Sequence, residues 1–504
     1  MARTLRELLA GLDYELVGGR VDCEISAVVS DSREAVLGSL FVCLPGYCTE
    51  GGEQRADRHE FIGDALERGA HALVLERVVP VPPGVTVVRV PDAWSAAAHL
   101  ASRFHGEPSK HLKVVGVTGT SGKTSTVYFI DSVLRAAGWT TACLGTVEHR
   151  VGSRVYPAQQ TTPEAPHLQS LLRQAVDAGC GAVVMEVSSH ALELRRVASI
   201  AFDVGVFTNL GRDHLNFHPD FHHYRRAKGR LFEELGSGGK DAVAVVNRDD
   251  ANSDYILQLC RGRKLTFSLR GHGDVTATSV YADVHRSGFV LRTPKGACPI
   301  ELAVPGAFQV QNALAAAAVG VALDLPLDVI ARGLATAPAV PGRFEVVNPG
   351  GEFLVVVDYA HKPDALERLL GAARALGPRR LLVVFGCGGD RDRGKRPLMG
   401  EAAARLGDVV FVTSDNPRSE DPQAIIDDIL TGIAPNRREH VHAIVDRREA
   451  IEAAIDAAEP GDLVIIAGKG HETYQLFAGR RVPFDDRDVA RAALARRAAV
   501  AGLR

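Results

Sequence analysis

The sequence predicts an α/β protein of three domains, each built from strands that alternate with helices. Two observations carry that expectation. Wholly apolar strands recur, among them VVGV (114–117), AVVM (182–185), FLVVV (353–357) and LVII (463–466). A strand apolar on both faces belongs to a parallel sheet covered by helices on each side. Polar, glycine-containing turns follow such strands, including TGTSGKT (118–124) and GCGGDRD (386–392). Open α/β sheets bind their ligands there, outside the carboxyl ends of the strands.

The first domain is expected over residues 1–108, a small α/β unit. It contains the strands SLFVCLPG (39–46) and AHALVLE (70–76), with a helix near 59–68. HGEPSKH (105–111) reads as a linker, because it is polar and interrupted by Gly and Pro. The second domain, 109–341, opens on the buried strand LKVVGVTG (112–119). A helix, KTSTVYFIDSVLRAAG (123–138), follows and stops at Gly138. The third domain, 342–504, is a Rossmann-like unit. Its strands end in DYAH, GCGGDRD, TSDNPR and AGKGHE, with alanine-rich helices at 364–376 and 447–457.

Bulk composition narrows the partners. Among 504 residues the net charge is −3, and no basic run stands out, so neither nucleic acid nor an anionic membrane surface is implied. No apolar run reaches the ~18–20 residues of a membrane span. The start of the chain lacks the apolar stretch of a signal peptide. The eight cysteines are scattered without a C-x-x-C pair, which fits reduced thiols in the cytosol. A cytoplasmic monomer acting on small molecules is expected.

GVTGTSGKTST (116–126) has the tail of a phosphate-binding loop, Gly122-Lys123-Thr124. An ordinary P-loop, G-x-x-x-x-G-K-S/T, would place its first glycine where Val117 stands. The glycines lie at 116 and 119 instead. Free backbone N–H groups and the helix dipole still make an anion site of Gly119, Thr120, Ser121, Gly122 and Ser125. Lys123 suits the β- and γ-phosphates of ATP, and Thr124 suits Mg²⁺. Glu186, at the end of a strand in EVSSH (186–190), is a further Mg²⁺ ligand candidate. His214, His218 and His222 have the spacing of a zinc-binding helix face, but Pro219 disfavours one continuous helix through them.

The loop TGTSGKTST resembles the T-G-T-x-G-K-S/T loop of the Mur ligases and folylpolyglutamate synthetases, ATP-dependent enzymes that join an amino acid to a carboxylate. TNLGRDHLNFHPDFHHYRRAKGRLF (208–232) resembles the T-N-L-x-x-D-H…K stretch of the Mur ligases. That resemblance makes His214 a ligand of a second Mg²⁺. It makes Lys228, otherwise an ordinary helix lysine, a residue carbamylated by CO2. VPGAFQVQNALAA (304–316) resembles a segment in which Asn312 approaches the adenine, with Gln309 in place of the usual Asn. PGRFE (341–345) implies a hinge and an ATP contact for Arg343. DYAHKPD (358–364) implies that Asp358 and His361 turn toward ATP when the third domain closes.

Within the Mur ligases, GCGGDRDRGKRPLMG (386–400) and DSREAVLGSLFVCLPG (31–46) resemble the branch that extends UDP-N-acetylmuramoyl-L-Ala-D-Glu in peptidoglycan synthesis. Ser32 is then a uridine contact of the first domain. Thr161, Thr162, Ser188 and Arg196 hold the muramoyl dipeptide. DNPR, formed by Asp415, Asn416, Pro417 and Arg418, resembles the motif of enzymes that take meso-diaminopimelate, and Arg391, Gly468 and Glu472 complete that pocket. The choice has a physical handle. A guanidinium grips a carboxylate through two parallel hydrogen bonds, and lysine lacks the second carboxylate that diaminopimelate offers.

Two departures stand out. Leu194 occupies the place of a usual Gln, so one polar contact to the dipeptide is absent or replaced. Tyr47, in the unusual loop 46–59, stands where a uracil-facing His is sometimes found. The resemblance implies ATP-driven amide formation through an acyl phosphate. An L-lysine-adding Mur ligase, a folylpolyglutamate synthetase-like ligase, a non-catalytic nucleotide switch and a zinc protein are the alternatives.

Overall fold

A computed structural model describes residues 3–49, 54–283, 286–348 and 351–501. Part of the unusual loop, residues 50–53, lies outside the described residues. The chain divides into two compact units. One comprises residues 1–278, 290–300 and 311–336, and the other residues 279–289, 301–310 and 337–504.

The first unit is built around two large sheets. The smaller has five strands: β1 (Glu15–Gly18), β2 (Val28–Val29), β3 (Ser39–Val42), β4 (Ala70–Leu75) and β5 (Thr86–Arg89). Their order is β1-β5-β4-β3-β2, all parallel except the pairing of β1 with β5. Helix α1 (Ala93–Phe104) lays its alanine face, Ala93, Ala96, Ala97 and Ala101, into the same core as Leu40, Val42, Val74 and Val88. Small side chains let helix and sheet approach closely, and Asp92 caps the helix by accepting from Ser95 N. The 105–111 stretch is a structured seam. A 3₁₀ turn at Pro108–His111 buries Ser109, whose hydroxyl accepts from Ala201 N at 3.1 Å.

The larger sheet contains β6 (Lys113–Thr118), β7 (Thr141–Leu144), β8 (Ala182–Glu186), β9 (Val204–Phe207), β10 (Val243–Asn247) and β11 (Arg263–Ser268). These six run parallel in the order β7-β8-β6-β9-β10-β11. From β6 the chain runs to β7 and β8 on one side of it and then passes to β9 on the other, so β6 marks a switch point where the carboxyl ends open a crevice. Val114, Val115, Val117, Val183, Val184 and Val206 are fully buried, as strands covered on both faces require. Helix α2 (Lys123–Ala136) leaves β6 through the glycine loop.

The second unit holds a sheet of five parallel strands: β12 (Leu354–Asp358), β13 (Leu381–Phe385), β14 (Val409–Val412), β15 (Val441–Ala443) and β16 (Leu463–Ala467). A two-residue antiparallel strand, Glu345–Val346, precedes β12. The last strand inserts between the first two, giving β12-β16-β13-β14-β15. Helix Arg447–Ala457 is tied to the C-terminal helix, Asp486–Ala501, by a fully buried pair. Arg447 donates to both carboxylate oxygens of Asp486, at 2.8 and 2.7 Å.

Candidate active site

The glycine loop needs its glycines. Gly119 has φ +152°, and a Cβ there would lie 1.9 Å from Thr208 Oγ1. Gly122 has φ +83°, and a Cβ there would lie 2.4 Å from Asn312 Oδ1. The loop is also pinned by the turn after β9. Thr120 N donates to Asn209 O at 2.9 Å, Ser121 N to Asn209 Oδ1 at 3.0 Å, and Thr208 Oγ1 to Ser121 O at 2.7 Å. Gly122 is the N-cap of α2, so the first free N–H groups of the helix face the loop. Ser125 is buried on the first turn, and Asn312 accepts from Thr126 Oγ1 at 3.5 Å.

Lys123 folds back over the loop, its Nζ donating to Gly119 O at 2.9 Å and Thr120 O at 3.2 Å. Thr124 Oγ1 donates to Glu186 Oε1 at 3.0 Å, and Thr146 N donates to the same oxygen at 2.8 Å. Lys228 lies on the buried face of helix α3 (Phe221–Glu233) and is only 1% exposed. Its Nζ donates to Gly119 O at 2.8 Å and sits 4.8 Å from the Tyr224 ring centroid. Asp220 caps α3, so Pro219 lies just before the helix and the three histidines share no helical face. His214 lies in a turn with φ +53°, a strained value for a non-glycine residue, edge-on to His190 at 4.9 Å. Burial holds His218 down to about 4, a neutral ring. Among the described residues no group of three or more His, Cys, Asp or Glu side chains has metal-binding geometry.

The unit also holds a cleft of about 640 Å³, lined by Ser32, Arg58, His149, Gln160, Glu164 and His167 among others. Glu164 is its anchor. The carboxylate accepts from Ser30 Oγ at 2.9 Å, Tyr47 OH at 3.1 Å and Arg58 Nη2 at 3.2 Å. His149 is buried and held down to about 4 chiefly by burial, with Nδ1 unpartnered among the described residues. The TTPE stretch connects this cavity to the loop. Thr161 Oγ1 meets Thr146 Oγ1 at 3.2 Å. Thr162 Oγ1 donates to Glu186 O at 2.8 Å, and Ser188 N donates to Thr162 Oγ1 at 3.2 Å. Arg196 Nη1 donates to Thr162 O at 2.9 Å.

In the second unit, the DNPR turn forms a second polar centre. Arg418 has φ +54°, and its backbone is bridged to the strand Tyr474–Phe477 by Arg418 N donating to Leu476 O at 2.9 Å. Its Nη1 donates to the carbonyls of Gly389 at 2.8 Å and Asn416 at 3.4 Å, and among the described residues no carboxylate pairs with it. Gly388 and Gly389 permit this approach. A Cβ at 388 would lie 2.9 Å from Arg418 Nη1, and one at 389 would lie 1.9 Å from Pro417 O. Asn416 Nδ2 donates to Glu472 Oε2 at 3.0 Å. Gly468 has φ +117°, and a Cβ there would meet Asp415 Oδ2 at 2.8 Å. Arg391 Nη1 donates to Asp390 O at 2.9 Å.

Also in this unit, Asp358 accepts from Phe344 N and Ala360 N, each at 2.8 Å, and burial raises its carboxyl. The Arg343 guanidinium lies 4.8 Å from the Tyr359 ring centroid. His361 Nδ1 contacts Tyr359 O at 2.8 Å, and burial with Lys362 and Lys395 nearby holds its ring down to about 4.

With this geometry in place, comparison with known proteins is decisive. The Mur ligase middle domain matches residues 117–320, and the Mur ligase glutamate ligase domain matches residues 342–470. A curated protein of Geobacillus kaustophilus, UDP-N-acetylmuramoyl-L-alanyl-D-glutamate--2,6-diaminopimelate ligase, is 46% identical over 95% of this chain and 96% of its own. The chain belongs to the Mur ligases.

A solved structure carrying the same enzyme name covers 99% of both chains at 32% identity with a TM-score of 0.68. Mycobacterium tuberculosis folylpolyglutamate synthase, solved with ADP and AMPPCP, covers 73% of this chain and 91% of its own. At 20% identity and a TM-score of 0.60 it shares the fold alone.

Several polar residues of this Mur ligase escaped sequence reasoning. Lys469 is fully buried, and its Nζ donates to Glu472 Oε2 at 2.9 Å and Asn416 Oδ1 at 3.2 Å, so it orders the DNPR centre. Arg396, fully buried, donates to Glu420 and Asp428 behind the GCGGDRD turn. Glu164 anchors the cavity of the first unit. What singles each of them out is burial and distant partners, which no local pattern shows.

Proposed function

We propose that this Mur ligase joins an amine of meso-diaminopimelate to the D-Glu γ-carboxylate of UDP-N-acetylmuramoyl-L-Ala-D-Glu, driven by ATP. The observation that carries the choice of amino acid is the Arg418 guanidinium, fixed by carbonyls and, among the described residues, without a carboxylate of its own. A planar fork held in this way is complementary to a substrate carboxylate, and lysine would leave it unpaired. The Geobacillus relative is named for the same amino acid.

The γ-carboxylate oxygen attacks the γ-phosphorus of ATP, ADP departs, and an acyl phosphate forms. The amine then attacks the acyl carbon, phosphate leaves, and the amide remains. The first step brings two anions together, so opposing charge has to be arranged in advance. Lys123 and the N–H groups opening α2 supply part of it. Magnesium bound with the phosphates supplies more. Thr124 and Glu186, whose oxygens lie 3.0 Å apart, would hold one ion, a hydroxyl and a carboxylate being the oxygen ligands it takes. His214 and a CO2-derived carbamate on Lys228 would hold a second. Carbamylation keeps an N–H on Nζ to donate to Gly119 O, and it replaces a buried cation by a group suited to a divalent ion. Asn312 and Arg343 serve ATP. Ser32, Thr161, Thr162, Ser188 and Arg196 serve the nucleotide-dipeptide. Asp358 and His361 act on the ATP side of the second unit, and Arg391, Asp415, Asn416, Pro417, Gly468 and Glu472 frame the amino acid with Arg418.

Mass spectrometry of a reaction containing UDP-MurNAc-L-Ala-D-Glu, ATP and meso-diaminopimelate tests the reading. Equal amounts of ADP and a UDP-muramoyl tripeptide are expected. ADP formation without tripeptide would refute it.

A further inference from the structure

The departure at Leu194 raises a physical question. Arg196 is 3% exposed, so its charge has left water, yet Leu194 is also buried and offers no polar atom to orient it. Arg196 Nη1 donates to Thr162 O, while Nε has no hydrogen-bond partner among the described residues. A buried guanidinium with one hydrogen bond among the described residues needs something else to fix its plane.

Tyr47 provides it. The guanidinium carbon lies 5.3 Å from the Tyr47 ring centroid, within cation–π reach. The ring is held at three places. Its hydroxyl donates to Glu164 Oε1 at 3.1 Å and accepts from Gln160 Nε2 at 3.3 Å, and its edge meets Trp94 with centroids 5.3 Å apart at 80°. Burial raises the phenol, so it remains protonated and a donor. Glu164 is itself fixed by Ser30 and Arg58.

We propose that Tyr47 is a positioning residue for the peptide end of the nucleotide substrate. Its ring orients Arg196 in place of a polar side chain at position 194, leaving Nε to donate to a carboxylate or carbonyl oxygen of the dipeptide. Tyr47 is thereby part of peptide recognition, while Arg55 and Arg58 of the same loop belong to the cavity wall. The inference rests on the reading of Arg196 as a dipeptide contact.

Calorimetry with UDP-MurNAc-L-Ala-D-Glu and with UDP-MurNAc lacking the peptide tests it. Tyr47→Leu is expected to weaken the dipeptide ligand about tenfold, the scale of a desolvated cation–π contact, and the peptide-free ligand by less than about twofold. Tyr47→Phe keeps the ring and should lose no more than about threefold for the dipeptide. In an Arg196→Ala background, Tyr47→Leu should add nothing. Tyr47→Met replaces Tyr47→Leu if the latter fails to fold. Equal losses for both ligands, no loss for either, or additive losses in the double variant would each overturn the inference. An Arg196→Ala variant that binds the dipeptide normally overturns it together with the role given to Arg196. Wild-type protein that binds as expected but forms no tripeptide defeats the proposed reaction while leaving this inference standing.

Discussion

Lys123 and Lys228 donate to one and the same carbonyl oxygen, that of Gly119, at 2.9 and 2.8 Å. Two side-chain nitrogens on one peptide oxygen tie Lys123 and Lys228 of helix α3 to a single loop residue. Lys228→Ala should lower kcat by about 10²–10³, the scale of one removed transition-state stabiliser. After CO2 is stripped from the buffer, bicarbonate should restore wild-type activity and leave the variant's lowered rate unchanged. A variant with full activity, and a wild type indifferent to bicarbonate, would remove the carbamate from the account.

Gly119→Ala should uncouple the loop from ATP. The new Cβ would meet Thr208 Oγ1 at 1.9 Å, so Thr208 must give up its bond to Ser121 O or the loop must shift. The expected result is a folded protein whose thermal midpoint no longer rises with a non-hydrolysable ATP analogue. An unchanged rise would show that the loop tolerates a side chain.

Arg418→Lys is not a conservative change, because an ammonium lacks the planar fork. It should lower kcat/KM for meso-diaminopimelate by about 10³ or more, with the KM for ATP within about twofold. Steady-state kinetics varying each substrate in turn would measure this. A small effect confined to kcat would place the guanidinium outside the amino-acid pocket.

The Arg447–Asp486 pair is fully buried, and losing one partner strands the other charge. Asp486→Ala should destabilise the second unit by about 3–5 kcal/mol in chemical denaturation. Arg447→Met with Asp486→Leu should recover most of that loss. A single variant as stable as wild type would show that water reaches the pair.

Acid should act through Glu420. Hydrogen bonds from Arg396 hold this carboxyl down to about 2 from an ordinary 4.5. Because the folded value is depressed, the pair contributes stability above pH 4.5 and loses it as pH falls from 4.5 toward 2. Glu420→Gln should be less stable at neutral pH and show a shallower decline across that window. Parallel stability curves for the two proteins would contradict the assignment.

The parallel sheets were legible because their apolar strands and glycine turns are local signals. So was the loop, since Gly119, Gly122, Lys123 and Thr124 stand in order on a strand–turn–helix. Pro219 correctly signalled that His214, His218 and His222 share no helix. Residues whose importance comes from distant partners were silent. Lys469 looks like any lysine in AGKGHE until Asn416 and Glu472 close around it. Tyr47 looks like a loop residue until Glu164, Gln160, Trp94 and Arg196 meet it. The 105–111 stretch has the composition of a linker, but composition does not reveal that Ser109 packs under Ala201.

The most direct test of the central claim is phosphate release from ATP in the presence of UDP-MurNAc-L-Ala-D-Glu, measured with meso-diaminopimelate against L-lysine. The account predicts turnover with meso-diaminopimelate and a kcat/KM for lysine lower by about 10⁴. Equal or better turnover with lysine would contradict it.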